Sequence, residues 1–158
     1  MNSIDHKGFW LEPIGVLPLQ RPLIVKEDTS IEQAIKSMQT RGIGCILVNN
    51  AEGKLSGILT ERDVMEQFIG TSVPRTTPVR ELMSKKPKIL SPETTVVQTV
   101  EYLGKKKFRH FPVGTADDEI LGLMSVRVII DFVAEHLTEH VLNLPPDSSV
   151  IPETRAGG

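Results

Sequence analysis

The feature that most constrains this chain is an internal repeat. Shifting the sequence by 65 residues lays its first half over its second without a gap. Pro22 falls on Pro87, Ile24 on Ile89, Thr29 on Thr94, Gln33 on Gln98, Val48 on Val113, Gly57 on Gly122 and Arg62 on Arg127. Apolar character is kept at Val25/Leu90, Ile31/Val96, Met38/Leu103, Ile46/Phe111, Leu55/Ile120 and Ile58/Leu123. Matching punctuation and matching apolar faces at one offset define two copies of one unit. Each copy is too small to bury its own apolar face well. The two are therefore expected to share a core about an approximate two-fold axis.

The first copy sets out the unit. Leu23-Ile24-Val25 is a short apolar run, read as a strand. Asp28-Thr29-Ser30 starts a helix in which Ile31, Ala34, Ile35 and Met38 recur at helical spacing, and Arg41-Gly42 ends it. Cys45 to Val48 reads as a second strand, Asn49 to Gly53 as a turn, and Leu55 to Leu59 as a third strand. Thr60 caps a helix running to about Phe68. The predicted unit is strand–helix–strand–strand–helix, a mixed α/β (α+β) fold. The second copy runs on into a long helix from Val126 to His140. The expected organisation is an N-terminal arm (1–18), a first repeat (19–70), a linker (71–78), a second repeat (79–140) and a flexible C-terminal tail (141–158). Pro13, Gly15 and Pro18 argue against a regular helix in the arm. Its Trp10, the only tryptophan, either packs back over the domain or anchors a partner.

The most informative turn is Gly57-Ile58-Leu59-Thr60-Glu61-Arg62-Asp63. It reads as a buried strand entering a helix. A helix start presents unpaired N–H donors and partial positive charge, which favour a phosphate or carboxylate. The Thr60 hydroxyl and the Asp63 carboxylate, three residues apart, leave the helix side by side. The pair suits a ribose phosphate, and it also suits a simple capping device. The second copy carries Ser125 at the Thr60 position and Val128 at the Asp63 position, so it keeps a hydroxyl and loses the carboxylate.

Composition narrows the function classes. The net charge of −2 argues against a nucleic-acid binder working by bulk charge. No apolar run approaches the ~20 residues of a spanning helix, and the first residues lack a secretory apolar region, so a cytoplasmic, non-membrane protein is expected. One cysteine, Cys45, rules out an internal disulfide and sits in an apolar context that suits a buried, inert thiol. His136 and His140 share a helix face, but no third ligand is in reach by sequence, so no metal site is expected. Lys105-Lys106-Lys107 with Arg109 and His110 is the densest basic run. It reads either as a solvated helix end or as a source of cations for ligand phosphates. No Walker loop or nucleophile elbow is present, and no catalysis is expected.

Three stretches carry a family resemblance: Val79-Arg80-Glu81-Leu82-Met83 followed by Pro87 to Thr95; Arg109-His110-Phe111-Pro112-Val113; and Gly57 to Asp63. Together these resemble tandem CBS domains paired as a Bateman module, over about Leu19 to His136. The resemblance implies a regulatory sensor of an adenine-containing small molecule (AMP, ADP, ATP or S-adenosylmethionine) that needs no catalytic cofactor, forms a homodimer and signals to an effector protein. It implies that Thr60 holds a phosphate or ribose oxygen and Asp63 the ribose hydroxyls, while Arg62 reaches phosphate or forms an exposed ion pair. The adenine would lie between Leu23 and Ile24 on one strand and Cys45 and Ile46 on the next. A second site, built on Ser125, Arg127, His110, Phe111 and Pro112, is expected to be empty, weak or altered for want of the carboxylate.

Overall fold

The alternation of short apolar runs and helical periodicity resolves into two βα layers. The structure, a computed structural model, describes residues 8–106, 109–117 and 119–142, side chains at 105–106 and 138–142 excepted. In the first repeat β1 (Ile24–Lys26) lies parallel to β2 (Cys45–Asn49), which is antiparallel to β3 (Leu55–Thr60). Helix α1 (Ile31–Arg41) makes the parallel crossover, and α2 (Glu61–Gln67) follows β3. The Ser30 hydroxyl caps α1 by accepting from Gln33 N at 3.3 Å, and Gly42 closes the helix at φ 61°, a left-handed conformation that a side chain would strain. Ile31, Ala34 and Met38 fall on one face and bury against Ile46, Val48 and Leu59.

The second repeat keeps the plan with one change. Helix α3 (Val96–Lys106) precedes the antiparallel pair β5 (His110–Gly114) and β6 (Ile120–Ser125), and α4 (Val126–Leu142) closes the described chain. The first strand predicted around Ile89-Leu90 is reduced to one parallel bridge between Leu90 and Val113. Chemistry accounts for the loss. In the first repeat Leu47 N donates to Leu23 O at 2.9 Å. The residue equivalent to Leu47 is Pro112, which has no N–H to extend the ladder.

The segments before each repeat cross over to complete the other one. The chain preceding the second repeat docks on the first: Val79 N donates to Thr29 O at 2.8 Å, Ile31 N to Thr77 O at 2.8 Å, and β4 (Ser84–Lys85) joins β3 as the fourth strand of its sheet. The N-terminal arm does the same for the second repeat. Ile14 N donates to Thr94 O at 2.8 Å, Val96 N to Glu12 O at 2.9 Å, and Gln20 bridges Leu123. The two hydrogen bonds on each side correspond to each other at the 65-residue offset. Val79, Leu82 and Met83 enter the first core, and Ile14 and Leu17 enter the second. The stretch read as a linker is thus docked against the start of α1, and the arm is part of the second repeat's core. Trp10 packs at the edge of that core, its ring 4.6 Å from Phe9. A small seam of Cys45, Leu47, Ile58 and Leu123 joins the two repeats.

These crossings explain the shared glycine of the two turns. A Cβ on Gly57 would meet the flexible side chain of Met83, and one on Gly122 would stand 2.6 Å from Leu19 Cβ and 3.4 Å from Gln20 O. Met83 can swing aside, whereas Leu19 Cβ moves only with its backbone. Gly122→Ala is therefore expected to cost about 1–3 kcal/mol and Gly57→Ala less, as read by chemical denaturation of the two variants. Among the described residues no helix is long and apolar enough to cross a membrane.

Candidate functional site

Crossing the repeats leaves two clefts between them. The first, about 450 Å³, takes Ile58 and Thr60 to Asp63 from the first repeat, the stretch Ser84 to Lys88, Tyr102 from α3, Arg109, and His110 to Pro112 from β5. At its inner end β3 turns into α2 through a reciprocal cap. The Thr60 hydroxyl accepts from Asp63 N at 3.2 Å and donates to Asp63 Oδ2 at 2.6 Å, and Thr60 N donates to the same oxygen at 2.8 Å. Among the described residues the one hydrogen bond to Asp63 Oδ1 comes from the Ser84 hydroxyl, at 3.4 Å. The pair is a capping device in which Oδ2 holds the helix start, and Asp63 also lines the cleft, where a carboxylate can accept from hydroxyl groups.

The cleft is cationic. Arg62, Lys85, Lys86, Lys88 and Arg109 line it against Glu61 and Asp63. Helix α2 has seven residues, so its dipole is a small part of this field. Lys88 Nζ lies 3.7 Å from the centroid of the Tyr102 ring, a cation–π contact that fixes one wall. Ile58, Phe111 and Pro112 supply apolar surface. Among the described residues Arg62 makes no ion pair, whereas its counterpart Arg127 pairs with Asp131 at 3.7 Å on the exposed face of α4.

The second cleft, about 760 Å³, is lined by Arg21, Leu23, Cys45, Leu123, Ser125 and Arg127 among others. Its helix start is the plainer one. Ser125 Oγ accepts from Val128 N at 3.4 Å, and Val128 packs into the second core. No carboxylate stands where Asp63 stands in the first cleft.

The predicted pocket walls are exchanged between the clefts. Leu23 and Cys45, expected beside Thr60 and Asp63, line the second cleft with Ser125 and Arg127. Phe111 and Pro112, expected beside Ser125, face Thr60 and Asp63. Arg109 and His110 line both clefts. The cause is the two-fold crossing, which sets the second strand of one repeat against the helix start of the other. Ile46 lines neither cleft: strand alternation sends it into the first core when Cys45 points to the seam. Ile24 sits 45% exposed on the edge strand β1 and also lines neither. Ser84, Lys85, Lys86, Lys88 and Tyr102 were missed as lining residues. The signal was present in the basic turn Ser84-Lys85-Lys86-Pro87-Lys88, which belongs to no apolar run.

His110 stands between Glu61 and Arg109. Burial pushes its pKa below 6.5, the Glu61 carboxylate raises it in part, and Arg109 lowers it. A histidine held neutral binds its proton more weakly folded than unfolded, so its contribution to stability is complete above about pH 6.5 and declines as the pH falls below it. The difference in melting temperature between native protein and His110→Asn is expected to shift in favour of the variant on going from pH 7.5 to 5.5. Cys45 is buried, and burial, then the nearby Glu61 carboxylate, push its thiol up to about 12, which leaves it unreactive. His136 has a local role: Nδ1 lies 2.8 Å from Phe132 O and the ring stacks on Phe9 at 5.4 Å. The side chains of His140 and of Lys105 to Lys107, and the tail from 143 onward, lie outside the described residues. Among the described residues no group of three or more His, Cys, Asp and Glu side chains is placed to hold a metal.

Comparison with known proteins agrees with the repeat. The CBS domain family matches twice, at residues 14–70 and 79–135. A CBS domain-containing protein of Arabidopsis thaliana is 31% identical over 120 residues, which cover 75% of this chain and 22% of that protein. The chain thus spans about a fifth of the length of that relative. The crystal structure of a CBS-domain containing protein from Agrobacterium tumefaciens superposes with TM-score 0.67 at 26% identity, covering 72% of this chain and 85% of that one. A CBS domain protein from Pyrobaculum aerophilum, complexed with AMP, shares the fold with TM-score 0.71 at 16% identity, covering 80% and 98%.

Proposed function

The chain belongs to the CBS domain family as a tandem pair, and from that premise we propose that it is a regulatory sensor of an adenine nucleotide, with its competent site in the first cleft. The observation that carries this reading is Asp63: a carboxylate that lines a cationic cleft, with Oδ2 satisfied within the fold and Oδ1 held, among the described residues, by one long contact from the Ser84 hydroxyl. Oδ1 would accept from the ribose hydroxyls, the surrounding cations would meet phosphate, and Ile58 and Pro112 would cover the base. The Pyrobaculum protein's AMP complex supports the ligand class by analogy of fold. The ligand is AMP, ADP, ATP or S-adenosylmethionine, and the site performs no catalysis.

The second cleft has no equivalent acceptor, so one competent adenosine site per chain is proposed. A ligand there touches both repeats and therefore favours one of their relative arrangements, which is all a population shift requires. The reader of that shift is an effector protein or a second copy in a cytoplasmic homodimer. Thermal melts with a panel of adenine compounds test the reading. Because a ligand of the native state alone raises stability by RT ln(1 + [L]/Kd), specific stabilisation at micromolar ligand is expected. No stabilisation by any adenine compound would leave an interaction module whose site has decayed.

A further inference from the structure

The two repeats provide an internal control for the first cleft. At the 65-residue offset Lys85, Lys86 and Lys88 correspond to Gln20, Arg21 and Leu23 of the second cleft. The equivalent stretch carries three cations on one side and one on the other, so lining a cleft does not require the lysines. Nor are they placed as an ordinary strand would place them. Successive side chains of a strand point to opposite faces. Lys86 has φ 51°, a left-handed conformation uncommon for a residue with a side chain, and its N–H donates to Ser56 O at 3.0 Å. Lys85, Lys86 and Lys88 all line one cleft, as Gln20, Arg21 and Leu23 line the other, and among the described residues the left-handed turn at Lys86 is particular to the first cleft. A strained backbone conformation beside a cleft is a reason to look for function there. Arg109 adds a fourth cation where the first repeat has Gly44.

We propose that this turn is a polyphosphate subsite, and that the first cleft selects a nucleoside di- or triphosphate over the monophosphate. The inference rests on the adenine-nucleotide reading of that cleft. A monophosphate carries a charge that Arg62 and one further cation satisfy. Lys85, Lys86 and Lys88 are in excess of that need, and without more anion they would repel one another. Each additional phosphate brings charge to them, and the gain is largest at low salt.

Calorimetric titration of the full chain with AMP, ADP and ATP, in metal-free buffer with chelator, tests this. Affinity is expected to rise about tenfold from AMP to ATP, and ATP affinity is expected to fall more steeply with salt than AMP affinity. In Lys85→Gln/Lys86→Gln the rise is expected to vanish, because ATP affinity falls much more than AMP affinity. Lys86→Gly removes a charge while easing the left-handed turn. It is expected to melt no lower than the native protein and still to lose part of the ATP preference, which separates charge from folding. AMP binding as tightly as ATP, or a preference for ATP that survives both variants, would overturn the polyphosphate subsite and leave the adenine site standing. Failure of every nucleotide to bind would overturn the adenine reading itself, and the subsite with it.

Discussion

Replacing Asp63 with alanine is expected to weaken adenosine-ligand binding tenfold to a hundredfold. Hydrogen bonds to a charged acceptor are each worth about 1.5–3 kcal/mol, and 1.4 kcal/mol is a factor of ten. Loss of the carboxylate leaves the ribose hydroxyls without that acceptor. The substitution has a second consequence, because Oδ2 accepts from Thr60 N and the Thr60 hydroxyl in the cap. A lost cap costs about 1 kcal/mol, a fall of about 2–4 °C in melting temperature for a chain of this size. Binding and stability must therefore be measured together. Thr60→Val weakens the same cap but keeps the carboxylate, so it is expected to match the melting change while losing less affinity. If Asp63→Ala melts lower and binds as before, the carboxylate is a cap and nothing more.

Ile14→Ala is expected to destabilise the second repeat by about 2–5 kcal/mol, although Ile14 precedes the first repeat in sequence. Ile14 is fully buried, at 0% exposure, in a cluster with Leu90, Val113, Met124 and Val128. Against a typical domain stability of about 5–15 kcal/mol this is a large fraction of the whole. Hydrogen exchange resolves where the loss falls. Amides of β5, β6 and α3 are expected to lose protection more than those of β1, β2 and α1. Val79→Ala is the reciprocal experiment, because Val79 holds the same position in the first core at 0% exposure. Exchange that rises in the repeat adjacent in sequence to each substitution would show that the crossing is not what holds the cores together.

Local periodicity made most of the elements legible. The α1 limits, Ile31 to Arg41, follow from a serine cap, a helical apolar stripe and a terminal glycine, all local signals. The repeat offset carried the second unit from the first, down to the paired glycines at 57 and 122. Pro112 shows where that inference stops, since similar apolar patterning does not supply the N–H that a ladder needs. The site was legible in half. Thr60 and Asp63 announce themselves because a cap is local. Their opposite wall does not, because which strand faces a helix start depends on how two repeats cross. That crossing put Phe111 and Pro112 opposite Asp63 and took Leu23 and Cys45 away. The arm was obscure for the same reason: Pro13 and Gly15 mark irregular backbone, and only the packed structure brings Ile14 into the second core.

We propose one competent adenosine site per chain, set by Asp63 in one repeat and Val128 at the same position in the other. The stoichiometry of calorimetric titration with the adenine nucleotide that most raises the melting temperature counts the sites. The expected result is a single site per chain in the native protein, with Val128→Asp tested alongside for any gain of a second. Two equal high-affinity sites per chain in the native protein would show that Asp63 does not set the competent site.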